Sequence, residues 1–108
     1  MITIEDLKKV DIRIGKVVSA ERVEGSEKLI KFVFNVGDEK RQIIGGFAMA
    51  YPEPEVLIGK EMPLVLNLEP RKLMGLESQG MILAPSDADG KPAALFPDRE
   101  VPPGSVVK

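Results

Sequence analysis

Ile30-Lys31-Phe32-Val33-Phe34-Asn35-Val36-Gly37-Asp38-Glu39-Lys40-Arg41-Gln42-Ile43-Ile44-Gly45-Gly46 is the stretch that decides the fold. Ile30, Phe32, Phe34 and Val36 alternate with Lys31, Val33 and Asn35. A period of two puts the first set on one face of a half-buried β-strand. Gly37-Asp38-Glu39 closes a hairpin, and a second strand runs from Lys40 until Gly45-Gly46 ends it.

Working outward, Asp11 to Arg22 reads as a long strand. Its alternation breaks at Gly15 and Lys16, which predicts a bulge or sharp bend there. Thr3 stands before Ile4-Glu5-Asp6-Leu7-Lys8-Lys9-Val10. That order predicts a short capped helix with an acidic first turn, burying Ile4, Leu7 and Val10. Tyr51 to Ile58, with Pro52 and Pro54, predicts a loop leading into one helical turn. Glu61 to Leu68 predicts a strand with Met62, Leu64, Leu66 and Leu68 inward, and Pro63 places part of it at an edge. Gln79 to Ala84 supplies a last strand. Five short strands, a helical insert between the third and fourth, and no βαβ alternation describe an all-β, five-stranded Greek-key barrel. An OB-fold fits, although periodicity alone also permits other small barrels.

After Ala84 the composition changes. Asp89-Gly90 marks a tight turn, and Pro92, Pro97, Pro102 and Pro103 punctuate a C-terminal extension of short strands over about 85–108. Leu95, Phe96, Val101, Val106 and Val107 in this tail need a surface to cover, either their own barrel or a second copy. The whole chain reads as one domain, with the barrel proper over about 11–84.

The 108 residues are 44% hydrophobic and 30% charged, the balance of a globular domain. No apolar run approaches the roughly 20 residues that span a bilayer. The acidic N-terminus differs from a signal peptide, so the expected location is the cytoplasm. Cysteine and histidine are both absent. That excludes disulfides and thiolate metal sites, and removes the commonest general base and nucleophile. No Gly-x-Ser-x-Gly or phosphate-loop pattern is present, so neither an enzyme nor a cofactor is expected. Asp87-Ala88-Asp89-Gly90 fails as a calcium loop, because Pro85 and Phe96 fall where carboxylates are required.

Chemistry concentrates instead in Asn67-Leu68-Glu69-Pro70-Arg71-Lys72-Leu73-Met74-Gly75-Leu76-Glu77-Ser78-Gln79-Gly80-Met81. Two adjacent cations can hold a phosphate, and the hydroxyl, amide and thioether can meet a base. The plain alternative is a connector between two barrel strands with ordinary surface charge. Four segments together go further: Val10 to Val18, Ser26 to Leu29, Arg41 to Gly46, and Asn67 to Met81. In order and spacing they resemble the tRNA-binding domain found as the C-terminal appendage or separate β-subunit of methionyl-tRNA synthetases. The same domain occurs in stand-alone tRNA-binding proteins and in the precursor of endothelial monocyte-activating polypeptide II. The chain looks like an isolated module of that family, with no catalytic core attached.

The resemblance implies a non-catalytic, dimeric tRNA-binding module that binds by shape and backbone contacts and assists a methionyl-tRNA synthetase. The implied contacts are Lys28, Arg41, Asn67, Arg71, Lys72, Ser78, Gln79 and Met81. Bland readings stand beside several of these. Arg41 can pair with Glu39, Lys28 can be solvated near Glu24 and Glu27, Met81 can be core, and Asn67 can form a turn. Phe32 and Phe34 read as core, while Phe47 and Tyr51 can line the binding face or brace the insert. Two departures weaken the electrostatics: Gly45 where serine is frequent, and Glu69 where lysine is often found. The overall balance does too, with 15 Lys plus Arg against 17 Asp plus Glu giving −2. A dedicated nucleic-acid binder is usually basic. The competing class is therefore a protein-interaction or chaperone-like module on the same barrel.

Overall fold

The computed structural model describes residues 1–108. Its strands are β1 (Ile12–Arg22), β2 (Ile30–Asn35), β3 (Lys40–Gly45), β4 (Glu61–Val65), β5 (Arg71–Leu73), β6 (Leu76–Ser78) and β7 (Met81–Ile82). A five-stranded antiparallel sheet takes the order β3-β2-β1-β4-β7, and β5 and β6 form a separate ribbon. A meander of three strands with the fourth returning beside the first is Greek-key order. The sheet curls until β3 approaches β6 and β7, giving a nearly closed, OB-like barrel.

The alternation read in β2 fixes the core. Ile30, Phe32 and Phe34 are fully buried with Ile43, Met62 and Leu64. Phe32 stacks on Phe34 at 5.5 Å between centroids and meets Phe47 edge-on at 5.6 Å. Phe47 and Tyr51 brace this core. Tyr51 lies 6.1 Å from Phe47, and its hydroxyl accepts from Ala94 N at 2.9 Å, tying down the tail.

Several expectations need correction. The irregularity in β1 falls between Val17 and Ser19, not at Gly15. Gly15 is glycine for space, because a Cβ there would run into the Leu64 side chain. Leu68 is exposed, since β4 ends at Val65 and only Leu66 beyond it stays buried. The last strand is two residues long, and the stretch read as a loop contains the β5–β6 hairpin. Between β3 and β4 the helical content is one 3-10 turn, Pro54–Leu57.

The edge position that Pro63 required is a matter of direction. A strand residue's N–H and C=O point to the same side, and Pro63 O accepts from Leu83 N at 3.0 Å. The missing N–H therefore lies on the β7 side, where that short ladder, confined to Leu64 and Val65, ends. α1 (Ile4–Lys8) has the expected capping box between Thr3 and Asp6 but buries nothing. Ile4, Leu7 and Val10 are all exposed.

The tail makes isolated bridges rather than strands. It nonetheless lies along β1 where β2 leaves that strand free. Ile14 N donates to Ser105 O at 2.9 Å, and Gly104 N and Val107 N donate to Ile14 O and Ile12 O at 2.7 and 2.9 Å. The tail's backbone is thus pinned to its own barrel, while the side chains of Leu95, Phe96, Val106 and Val107 stay exposed. Phe32→Ala should cost about 3–5 kcal/mol, as truncation of a fully enclosed ring does. Urea denaturation would read this as a fall in the midpoint with an unchanged slope.

Candidate nucleic-acid interface

Arg71 and Lys72 sit on the β5–β6 hairpin, whose register pairs Arg71 with Ser78, Lys72 with Glu77 and Leu73 with Leu76. Its two-residue turn is Met74-Gly75, with φ of 52° and 78°. Two positive φ values in succession are those of a type I′ turn, whose twist suits a tight hairpin. Gly75 adopts its value without strain, whereas Met74 is the one non-glycine residue with positive φ. Neither Arg71 nor Lys72 has a carboxylate within ion-pair distance.

Ser78 and Gln79 anchor the hairpin to β3. Ser78 is only 1% exposed, and its Oγ accepts from Ile44 N at 3.0 Å and donates to Gly80 O at 3.3 Å. Gln79 N donates to Gln42 O at 2.7 Å, and Gln79 Oε1 accepts from Gln42 N at 3.0 Å. Gln42 Nε2 completes the seam by donating to Glu77 O at 2.9 Å.

Arg41 serves the same seam. Its Nη1 donates to Leu66 O at 2.8 Å and Gln79 O at 3.1 Å, while its Nε pairs with Glu39. A guanidinium so engaged has little left for a phosphate. Asn67 is likewise occupied: Oδ1 accepts from Asp11 N at 2.8 Å and Nδ2 donates to Lys9 O at 2.6 Å. It fastens the segment after α1 to the end of β4.

Lys28 follows a turn whose Ser26 Oγ accepts from Lys28 N and Leu29 N at 3.2 and 3.1 Å. Its ammonium is exposed and has no ion pair, although Glu24 and Glu27 are near in sequence. Met81 is 42% exposed on β7, so it is not core. Gly45 is tightly placed, because a Cβ would lie 3.0 Å from the Phe47 ring. A serine here would press on that ring.

The eight residues therefore fall into two groups. Lys28, Arg71, Lys72 and Met81 present free side chains, whereas Arg41, Asn67, Ser78 and Gln79 are engaged within the protein. Sequence reading did not single out Arg22 and Lys31. With Glu21, Glu24, Met74 and Leu76 they line a cavity of about 380 Å³ between the hairpin and β1. Lys31 was visible as an outward position of β2, but nothing local marked Arg22.

A β-ribbon carrying unpaired cations beside the β2–β3 face defines a binding module rather than a reaction centre. The chain belongs to the tRNA-binding domain family: residues 12–106 match the family model described as "Putative tRNA binding domain". It is 53% identical over 106 residues to the methionine–tRNA ligase of Caldanaerobacter subterraneus subsp. tengcongensis, covering 98% of this chain and 16% of that ligase. What matches is thus a tRNA-binding module and not a catalytic domain.

Among solved structures, a MetRS-related protein from Pyrococcus horikoshii superposes with TM-score 0.93 at 37% identity, covering 100% of this chain and 98% of that one. The chaperone CsaA from Bacillus anthracis superposes with TM-score 0.90 at 28% identity, covering 100% and 99%. No helix is long and apolar enough to cross a membrane.

Ser78→Ala should cost about 1–3 kcal/mol, because the buried Ile44 N–H loses its acceptor. Arg71→Ala, on an exposed ribbon, should stay within about 0.5 kcal/mol of the parent. Paired thermal or urea melts of the two variants would check the contrast.

Proposed function

We propose that this protein is a non-catalytic tRNA-binding module of the methionyl-tRNA synthetase type, acting as a β-subunit or free C-terminal-type domain. It binds tRNA largely by shape and backbone contacts, and raises the effective tRNA concentration at the enzyme's active site. The observation that carries this reading is the β5–β6 hairpin, where Arg71 and Lys72 are free of carboxylate partners beside the β2–β3 face. In this reading Lys28, Arg71, Lys72 and Met81 touch the RNA. Arg41, Asn67, Ser78 and Gln79 hold those groups in place. The role requires no cofactor or metal and belongs in the cytoplasm.

Few phosphates can be neutralised by so small a patch on a chain of net charge −2, so affinity should be modest and depend on salt. Fluorescence anisotropy of labelled bulk tRNA at about 50 and 200 mM salt tests this. The parent should bind in the micromolar range and weaken as salt rises. Joint replacement of Arg71 and Lys72 by alanine should reduce the log–log salt slope by about 1 for each phosphate no longer neutralised. Arg41→Ala and Ser78→Ala should weaken binding only so far as they displace the hairpin or populate the unfolded chain. Absence of binding at the lower salt would overturn the reading.

The reading includes a homodimer. Ile4, Leu7, Val10, Ile12, Val106 and Val107 line an apolar cavity of about 390 Å³ between α1 and the tail, and a second copy would cover it. Sedimentation at micromolar concentration should give the mass of a dimer, with Leu7→Asp, on an exposed helix, shifting it to monomer. A monomeric parent would remove this part.

A protein-interaction module is the second reading, and the close superposition on the chaperone CsaA favours it. Peptide binding would show a shallow salt slope where tRNA binding shows a steep one.

A further inference from the structure

The β5–β6 hairpin is hydrogen-bonded to the barrel at one end only. Its bonds to the body begin at Glu77 O and continue through Ser78 and Gln79. Residues 68–76 make none outside the hairpin's own ladder. Arg71 and Lys72 therefore sit on the strand that lacks anchors.

Met74, at the tip, stands out for its backbone. Its φ of 52° is the one positive value at a non-glycine residue. In that conformation a Cβ crowds the following carbonyl oxygen, and glycine or asparagine would fill this turn position at less cost. A side chain held at an unfavourable φ directs attention to what it touches. Met74 is 58% exposed, yet its Cε lies 3.4 Å from where a Cβ on Gly25 would stand. The end of the thioether thus rests over Gly25. An unbranched, flexible side chain suits such an irregular contact.

Gly25 belongs to the loop that carries Lys28, and that loop is a closed unit. Val23 N donates to Leu29 O at 3.0 Å and Ser26 N to Val23 O at 3.1 Å, while Ser26 Oγ accepts from Lys28 N and Leu29 N. A contact on Gly25 consequently fixes the hairpin tip relative to Lys28. Beside that contact, Met74 and Leu76 face Arg22, Val23 and Glu24 across the cavity of about 380 Å³. An unlatched tip has room to move there.

We propose that Met74 is a positioning residue: its thioether latches the hairpin tip to the Lys28 loop and sets the spacing between Lys28 and the Arg71–Lys72 pair. The inference rests on the tRNA reading for what those cations meet. Cations already held at a fixed spacing can engage one RNA backbone without the ribbon being ordered first.

Met74→Gly tests the latch, because glycine keeps the φ value and removes only the side chain. In the parent, NMR should show a nuclear Overhauser effect between the Met74 methyl group and the Gly25 α-protons. In Met74→Gly the amide order parameters of residues 72–76 should fall below about 0.6, with those of Ser78 and Gln79 staying in the rigid range. The melting midpoint should not fall. Affinity for bulk tRNA should drop about fivefold, as expected if the tip is in place about a fifth of the time. The salt slope should stay as in the parent, since every cation is retained. Met74→Leu, an apolar exchange of similar volume, should recover affinity to within about twofold of the parent.

A missing Overhauser effect, or a tip equally ordered in Met74→Gly, overturns the latch. Affinity that falls while the tip stays ordered makes Met74 a direct RNA contact and overturns the positioning role. So does a loosened tip with unchanged affinity, or a melting midpoint that falls along with affinity. If the Overhauser effect and the loosening are both seen while the parent fails to bind tRNA, the latch stands and the tRNA reading falls.

Discussion

Two backbone N–H groups of β3, those of Gln42 and Ile44, donate to side-chain oxygens instead of to the carbonyls of a neighbouring strand. On this substitution the closing edge of the barrel depends. β3 is the last strand of its sheet, and β7 is too short to ladder with it. An uncovered edge would leave buried donors without acceptors, at about 1–3 kcal/mol each. Ser78 and Gln79 supply the oxygens, and Gln79 also returns a backbone N–H to Gln42 O. The hairpin ahead of them is held against the sheet by the same bonds, so closing the barrel and positioning Arg71 and Lys72 are one event.

That coupling bears on how an acidic protein can hold an anion. Of the cations, Lys9, Arg13, Lys16, Lys31, Arg41 and Arg99 lie in ion pairs, and Arg22 donates to the carbonyls of Pro52 and Glu27. Net charge then says little about any one surface. What matters is that Lys28, Arg71 and Lys72 carry no ion pair, although Glu77 stands opposite Lys72 in the hairpin register. At physiological salt, charges more than about 8 Å apart are largely screened from one another, so a local patch can act despite a negative total.

The aromatic residues were partly legible. Phe32 and Phe34 announced themselves by alternation, and they are core. Phe47 and Tyr51 were ambiguous, because a ring near a binding face and a ring bracing a loop have the same sequence. Tyr51 is resolved by a partner 43 residues away, the Ala94 N–H. α1 shows the reverse. Its cap was readable from Thr3 and Asp6, but its apolar face was expected to be buried and is open.

By itself the sequence determined the periodicities, hence the core face of β2, the turn at Gly37, the capped helix and the all-β class. These are local consequences of steric preference and of side chains alternating across a strand. The segments from Val10 to Met81 also carried the family. Only the tertiary structure decided which polar residues of those segments are free. Ser78, Gln79, Asn67 and Arg41 look like contacts in one dimension. In three, each meets a backbone group 34 to 58 residues distant, or in the case of Arg41 25 and 38 residues distant. Such pairings depend on where the barrel closes, and a hydroxyl or guanidinium reads the same in sequence whether it faces a ligand or its own chain.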